Sequence, residues 1–208
     1  MKLFINYILA PLILLPYLKL FNHLEVFGSE NIPSYGPAII IANHLSMWDP
    51  VILYCVVKAR VCFMAKEELF KVPVVGYVVK KAGSFPVKRD SVDRNSLRQA
   101  ARVLEEGKIL GIFPEGHRSP DGQMQKFRNG AALFAHRSSA TVIPVLFENT
   151  RMIFPKSFKS RIKVVFGRPI DLSNYYSKKA NQDVLDEMTE SFKSAISGLC
   201  AVDTVSGK

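Results

Sequence analysis

Cysteine and acidic residues are scarce in this chain of 208 residues, and each shortage argues against a class of protein. The three cysteines, Cys55, Cys62 and Cys200, include no pair at CxxC spacing and no neighbouring histidine in ligand register. We read them as reduced core thiols of a cytosolic protein rather than as metal ligands or disulfide partners. Lys and Arg number 28 against 18 Asp and Glu, a formal net charge of +10 that favours anionic partners. These basic residues are dispersed among apolar stretches, which argues against nucleic-acid binding.

A long apolar stretch opens the chain, and two prolines interrupt it. From Leu3 to Phe21 nearly every residue is apolar, with Pro11 and Pro16 inside. A bilayer crossing needs ~20 apolar residues, and each proline removes a backbone hydrogen bond that lipid cannot replace. No small-residue cleavage site for a signal peptide follows. We predict that residues 1–22 form a membrane-associating segment, a kinked helical anchor or helical hairpin lying in one leaflet. The alternative is a buried amphipathic helix.

Past His23, short apolar runs alternate with stretches of helical periodicity, which is the pattern of an α/β protein. The apolar runs predict strands at 38–42, 61–65, 84–87, 109–113, 142–146 and 162–166. The periodic stretches predict helices at 51–57, 74–82, 91–106, 130–138 and 181–199.

The predicted strands are apolar throughout rather than at alternate positions. Such strands are typical of a mostly parallel central sheet that is flanked by helices on both faces. The sequence shows no internal repeat and no low-complexity linker. We therefore predict one α/β domain over residues 23–200, followed by a flexible tail at 201–208.

Two polar clusters follow two of the predicted strands. His44 and Asp49 come after the strand at 38–42, and residues 115–119 come after the strand that ends at Phe113. In parallel sheets the loops at the carboxyl ends of strands converge on one edge and build the ligand site. The two clusters therefore predict a single active site.

The first cluster has the composition of a general base with its orienting partner. A histidine acts as a base when one ring nitrogen is free to accept a proton and the other donates to a fixed acceptor. Asp49 is the nearest candidate for that acceptor, and its charge would stabilise the imidazolium. Ser46 lies between them and could serve as a nucleophile, but capping the next helix or bracing the turn suits it better.

Residues 43–49 resemble the NHxSxxD form of the HxxxxD signature found in the glycerolipid acyltransferases, in their lysophosphatidic acid acyltransferase branch. Three further blocks are similar to those of the family in order and spacing, so that the resemblance spans roughly residues 27–169. These blocks are 66–69 with Pro73 and Gly76 continuing to 83–89, then 113–119 in the pattern FPEGxRS, then 142–145.

This resemblance implies transfer of a fatty acyl chain from a thioester to the sn-2 hydroxyl of 1-acyl-sn-glycerol 3-phosphate, which yields phosphatidic acid. It makes His44 the base and Asp49 its orienting residue. It also implies a set of substrate-binding residues: Lys66, Arg89, Glu115, Gly116, Arg118 and Ser119.

The chemistry of these side chains is compatible with a phosphate-bearing substrate. Arg89 and Arg118 offer planar forks for the phosphate, and Lys66 offers a looser point charge. Glu115 suits the orientation of an arginine or of a glycerol hydroxyl. Backbone amides around Gly116 suit the phosphate or the developing oxyanion. The attacking hydroxyl belongs to the substrate, so no enzyme nucleophile is required.

The resemblance further implies acyl-ACP or acyl-CoA as co-substrate, with no bound cofactor and no metal. A basic stretch at 151–161, which contains Lys156, Lys159 and Arg161, would attract either donor, because acyl carrier protein is acidic and coenzyme A carries phosphates. We expect a peripheral or monotopic protein on the cytoplasmic face of the cell membrane. Two alternatives stay open: an acyltransferase for another lysolipid, and a non-catalytic protein that binds lipid at the membrane surface.

Overall fold

The computed structural model describes residues 2–34, 36–87, 94–153 and 160–200, with the side chains of residues 2–10 and 74 left aside. Four sequence-based predictions lie outside these ranges: the predicted binding residue Arg89, the basic residues Lys156 and Lys159, and the tail at 201–208.

The described residues form one seven-stranded sheet in the order β1-β7-β6-β2-β5-β3-β4. Its strands are β1 (Glu25–Phe27), β2 (Ala38–Ala42), β3 (Val61–Lys66), β4 (Phe85–Val87), β5 (Ile109–Ile112), β6 (Thr141–Glu148) and β7 (Lys163–Phe166). All neighbouring strands run parallel except β6 and β7, which pair antiparallel. The predicted mostly parallel sheet is therefore confirmed.

Seven α-helices connect and flank the strands within the described ranges. They are α1 (Lys2–Asn22), α2 (Asp49–Val56), α3 (Pro73–Lys81), α4 (Arg94–Glu105), α5 (Gly130–Ser138), α6 (Ser173–Tyr176) and α7 (Gln182–Gly198). Short 3-10 helices cover Ser29–Asn31, Glu67–Lys71 and Thr150–Met152.

The sheet is buried on both faces, which explains why its central strands are apolar throughout. All five residues of β2 are buried. Ile39 and Ile41 join the core under α4, α5 and α7, whereas Ile40 joins the core under α1 and α2. Because successive side chains of a strand point to opposite faces, a sheet covered by helices on both faces needs apolar residues at every position.

The N-terminal segment is a single α-helix that contains both Pro11 and Pro16, so the hairpin alternative is wrong. Its C-terminal end joins the core: Leu18 is fully buried, and the Asn22 side chain donates to Ser160 Oγ at 2.8 Å. Leu12, Ile13, Leu20 and Phe21 stay exposed. No helix within the described ranges has the length and apolar character that crossing a membrane requires.

The remaining differences have local causes. β1 was not predicted, because its residues are exposed or half-buried and form no apolar run. Neither was α6, a helix of 4 residues with no buried side chain. Cys55 and Cys62 are buried free thiols as predicted, but Cys200 is exposed, so the core assignment was wrong for that residue.

Candidate active site

The carboxyl ends of β2 and β5, which are adjacent strands, carry the two polar clusters. The loop after β2 holds His44, and the loop after β5 holds residues 113–119. Because β2 and β5 pair in parallel register, both loops leave the same edge of the sheet. The structure therefore brings the two predicted clusters together.

His44 and Asp49 form a hydrogen-bonded pair, with 2.8 Å between His44 Nδ1 and Asp49 Oδ2. The same carboxylate oxygen accepts from the backbone N–H groups of Leu45 at 2.7 Å and Ser46 at 2.8 Å. Asp49 is fully buried, while the His44 side chain keeps 15% of its surface exposed. These contacts fix the imidazole with Nδ1 occupied, so that Nε2 remains the nitrogen available to a substrate.

The local chain path explains why five residues separate the pair. Asp49 begins α2, and Pro50 supplies the fixed φ that suits a first helical turn. A carboxylate at this position is stabilised by the partial positive charge of the helix N-terminus. Ser46 Oγ accepts from the Trp48 N–H at 3.3 Å, so its side chain braces the turn.

The ring of Phe113 packs against one face of the imidazole. His44 stacks on Phe113 with 4.2 Å between ring centroids and an interplanar angle of 21°, and Phe113 in turn stacks on Phe63 at 5.9 Å.

Asn43, the residue before His44, is buried and forms two hydrogen bonds with the Phe147 backbone. Its Nδ2 donates to Phe147 O at 3.0 Å, and its Oδ1 accepts from Phe147 N at 2.7 Å. The side chain of Asn43 therefore fastens the start of the loop to β6.

The buried side chain of Glu115 connects the loop that carries His44 to the backbone at Gln125. Its Oε1 accepts from the His44 N–H at 2.8 Å, and its Oε2 accepts from the Gln125 N–H at 3.1 Å. The side chain is only 1% exposed, and this burial raises its pKa, while the two backbone donors act in the opposite direction. Both carboxylate oxygens face backbone donors, so the geometry supports a positioning role, and the predicted contact with substrate stays a prediction.

Ser119 completes the connection between the two loops. Its backbone N–H donates to the carbonyl oxygen of His44 at 2.7 Å, and its buried hydroxyl bonds Asp121 Oδ1 at 2.9 Å and the Gly122 N–H at 2.8 Å. Gly116 turns the chain with φ +73°, and its own N–H donates to Phe113 O at 3.0 Å. The Gly116 amide is thus occupied by the turn, and the next two residues, His117 and Arg118, are exposed.

A cleft of about 510 Å³ opens beside the pair. The loop after β2 contributes Leu45 to Trp48 to its lining, the loop after β5 contributes residues 117–120, and Arg151 and Ile153 complete it. Arg118 is exposed and forms no ion pair with any described carboxylate. Arg151 Nη2 donates to Pro120 O at 2.8 Å, which places a second guanidinium at this cleft.

Lys66 lies apart from the cleft lining. It ends β3, one strand beyond β5, and its ammonium pairs with Glu68 Oε1 at 3.3 Å on a half-exposed surface. Its predicted substrate contact, like that of Arg89 outside the described residues, stays untested by the geometry.

The sequence did not predict the structural roles of several residues of the site. Asn43 and Phe113 belong to the two motif blocks, and Arg151 begins the basic stretch at 151–161, but none of them was assigned a contact in the site, and Gln125 belongs to no motif. Their contacts depend on which groups the fold brings near them. Within the described residues, no group of three or more His, Cys, Asp or Glu side chains comes together in a way that could hold a metal ion.

The fold and the site define an α/β protein equipped for general-base chemistry next to a cationic cleft. A family model described as Acyltransferase matches residues 23–148. The chain is 30% identical to the 1-acyl-sn-glycerol-3-phosphate acyltransferase of Borreliella burgdorferi over 79% of this chain and 70% of that protein. It is 27% identical to the protein of that name from Bacillus subtilis over 88% and 90% of the two chains.

A solved structure agrees with these sequence comparisons. The crystal structure of the 1-acyl-sn-glycerophosphate acyltransferase PlsC from Thermotoga maritima superposes with a TM-score of 0.72 at 25% identity, covering 97% of this chain and 81% of that one. The chain belongs to the acyltransferase family, in its 1-acyl-sn-glycerol-3-phosphate acyltransferase branch.

Proposed function

We propose that this protein transfers a fatty acyl chain from a thioester to the sn-2 hydroxyl of 1-acyl-sn-glycerol 3-phosphate, forming phosphatidic acid. The names of its relatives support this reaction. The observation that carries the proposal is the His44–Asp49 pair at 2.8 Å, fixed beside a cleft that Arg118 lines.

His44 acts as the general base in this mechanism. An alcohol attacks a thioester poorly unless a base removes its proton as the carbon–oxygen bond forms, a contribution of about a hundred- to ten-thousandfold. Nε2 of His44 takes the hydroxyl proton while the alcohol oxygen attacks the thioester carbonyl carbon. The tetrahedral intermediate then collapses, the carbon–sulfur bond breaks, and the imidazolium returns its proton to the leaving thiolate. Asp49 holds Nδ1–H and stabilises the transient positive charge.

Arg118 binds the phosphate of the acceptor. It lines the cleft, is exposed, and has no carboxylate partner among the described residues, so its planar fork is available to an anion. The sequence resemblance assigns Arg89 and Lys66 to the same task. Arg151, whose guanidinium also lines the cleft, adds positive potential there. The amides of His117 and Arg118 are candidates for the oxyanion that develops on the thioester carbonyl.

The finer assignments follow from charge and exposure. Either acyl-ACP or acyl-CoA suits a chain of net charge +10, and the reaction as written needs no bound cofactor or metal. Residues 1–22 hold residues 23–200 at the cytoplasmic face of the cell membrane, as a peripheral or monotopic protein, with 201–208 as a tail. The exposed apolar side chains of Leu12, Ile13, Leu20 and Phe21 on α1 support this location.

A product assay with a matched histidine control tests the reaction. Purified protein is incubated in lipid vesicles with radiolabelled 1-acylglycerol 3-phosphate and, separately, acyl-ACP and acyl-CoA. We expect labelled phosphatidic acid from the wild type, and a rate about a hundred- to ten-thousandfold lower from His44→Ala. His136→Ala serves as the control, because His136 bonds Lys178 O on the surface of α5 and lies outside the site.

Two results would contradict the proposal. Wild-type turnover by His44→Ala would reject the base mechanism. Preferred acylation of a lysolipid with a larger headgroup, in competition with 1-acylglycerol 3-phosphate, would reject the acceptor while keeping the chemistry.

A further inference from the structure

Helix α3 is held to the rest of the protein mainly by the short 3-10 helix that precedes it. Its extensive packing is against Glu67–Lys71 alone among the described elements. The two segments approach closely at Gly76, where an added Cβ would lie 2.5 Å from the carbonyl oxygen of Phe70. Because one side of α3 is committed to this contact, the other side is left facing outwards.

The exposed surface of α3 and of the segment just before it is rich in apolar side chains. Five side chains of this segment are between 40% and 57% exposed, and we call them the α3 patch. The patch consists of Leu69, Val72, Val75, Tyr77 and Val78. Single exposed apolar residues are normal on protein surfaces, but several within ten positions of one segment mark a surface that contacts something else.

Lysines accompany the α3 patch, and one of them contacts the ring of Tyr77 within it. Lys80 and Lys81 end the helix, and Lys71, whose ammonium pairs with Glu67 Oε1 at 3.4 Å, ends the 3-10 helix. The ammonium of Lys81 lies 5.6 Å from the centroid of the Tyr77 ring. Exposed valines and a tyrosine, with lysines in the same segment, are the composition of a segment that lies in the headgroup region of an anionic bilayer. An acidic protein would match the lysines but leave the valines unexplained.

The segment that carries the α3 patch begins at the same edge of the sheet as the candidate active site. The 3-10 helix directly follows Lys66, the last residue of β3, and β3 is the neighbour of β5 in the sheet. Since β3, β5 and β2 run parallel, the segment leaves the same edge of the sheet as the loops that carry His44 and Arg118.

We propose that the α3 patch is a second membrane contact, separate from α1, which inserts its apolar side chains into an anionic bilayer and sets the active-site edge against the lipid surface. The benefit to catalysis rests on the proposed function, but the membrane contact does not, so the two can fail separately.

A site-specific fluorescent label tests the contact without interference from α1. In a Cys200→Ser background, Val78→Cys carries an environment-sensitive nitrobenzoxadiazole label, and Ser194→Cys on the exposed side of α7 carries it as the control. Cys55 and Cys62 stay unlabelled because they are buried, and burial raises the pKa of Cys55 to about 11. Vesicles contain phosphatidylcholine with or without phosphatidylglycerol, and spin-labelled lipids act as quenchers.

We expect the label at position 78 to shift to the blue and to be quenched by the spin-labelled lipid when phosphatidylglycerol is present, while the label at position 194 does neither. If the protein binds vesicles but the label at position 78 keeps the emission of a water-exposed label and is not quenched, the proposal is overturned. A response to acyl carrier protein in place of vesicles would also overturn it, since that would make the patch a protein-docking surface.

A partition measurement provides the second arm. Val75→Ser with Val78→Ser should weaken binding to phosphatidylglycerol vesicles about tenfold, from the apolar area no longer buried. The control is Phe27→Thr, a similarly exposed side chain on β1 at the opposite edge of the sheet from β4. Equal partitioning of the two variants would contradict the proposal.

An activity comparison then separates the contact from the chemistry. The double variant should keep its rate on a short-chain, monomeric lysophosphatidate and lose rate on a long-chain acceptor in vesicles. If the wild type acylates neither acceptor, the proposed function fails while the labelling result stands.

Discussion

Asp49 supports both catalysis and folding, and a double-mutant cycle with His44 separates the two contributions. One oxygen, Oδ2, accepts three hydrogen bonds: one from the His44 ring and two from the backbone of Leu45 and Ser46. Asp49→Asn removes the charge while it keeps an oxygen in the same place. His44→Ala removes the ring but leaves both backbone donors where they are.

The expected magnitudes differ between activity and stability. Without its charge, position 49 no longer stabilises the imidazolium, so Asp49→Asn should lower the rate about a hundred- to ten-thousandfold. Two charge-assisted backbone bonds become neutral ones, and the carboxylate at the start of α2 is lost, so the free energy of unfolding should fall by about 1–3 kcal/mol. Oδ1 has no partner among the described residues and is buried, so the new amide NH₂ adds to that loss.

The assay combines acyl transfer with urea unfolding for the wild type, both single variants and the double variant. We expect the activity losses to be non-additive, because Asp49 acts on the rate through His44, so Asp49→Asn costs almost nothing further in the His44→Ala background. The stability loss should persist in that background, because it comes from the bonds to Leu45 and Ser46. Additive activity losses, or a stability loss that vanishes with the ring, would refute this division of roles.

Three further predictions concern the surroundings of the pair. Arg118→Lys should raise KM for the lysophosphatidate about tenfold with kcat nearly unchanged, because an ammonium keeps the charge but loses the fork, and Arg168→Lys on the surface should change neither. Burial raises the pKa of Glu115, so in the native state this carboxyl keeps its proton to a higher pH than in the unfolded state. The free energy of unfolding therefore falls as the pH rises above the ordinary glutamate pKa of about 4.3. In urea unfolding, the free energy of unfolding of Glu115→Gln should therefore rise relative to that of the wild type as the pH increases. Asn43→Ala should lower the free energy of unfolding by about 2–4 kcal/mol through the two lost bonds to Phe147, with Asn174→Ala on exposed α6 near zero.

Much of the fold was predictable because the apolar pattern is strong where the sheet is central. β2 was predicted to the residue at 38–42, and α5 at 130–138 likewise. Both are short elements with sharp polar boundaries and buried apolar residues. β1, by contrast, is held by its backbone pairing with β7 and carries little apolar signal of its own. The antiparallel direction of β7 was equally invisible, since a strand buried on both faces reads the same in either direction.

In the candidate site, too, local contacts could be predicted from the sequence and long-range contacts could not. The sequence predicted the pairing of His44 and Asp49 because the contact is local: only one turn separates His44 from Asp49, the first residue of α2. Glu115 shows what spacing cannot supply. Its side chain was expected to face a substrate or an arginine, and the structure gives both of its oxygens to backbone donors from loops 71 positions before and 10 positions after it. Contacts of that kind depend on which strands become neighbours in the sheet.

The backbone of His44 is bound on both sides by the loop that carries Arg118, and this fixes the two loops relative to each other. The His44 N–H donates to Glu115, and the His44 carbonyl oxygen accepts from Ser119. Because β2 and β5 are adjacent, at a spacing of about 4.8 Å, the backbones of His44 and Arg118 cannot move apart without breaking these bonds. The proposed acceptor suits a base and a cation held on neighbouring loops, because in 1-acylglycerol 3-phosphate the sn-2 hydroxyl is on the carbon next to the one that bears the phosphate.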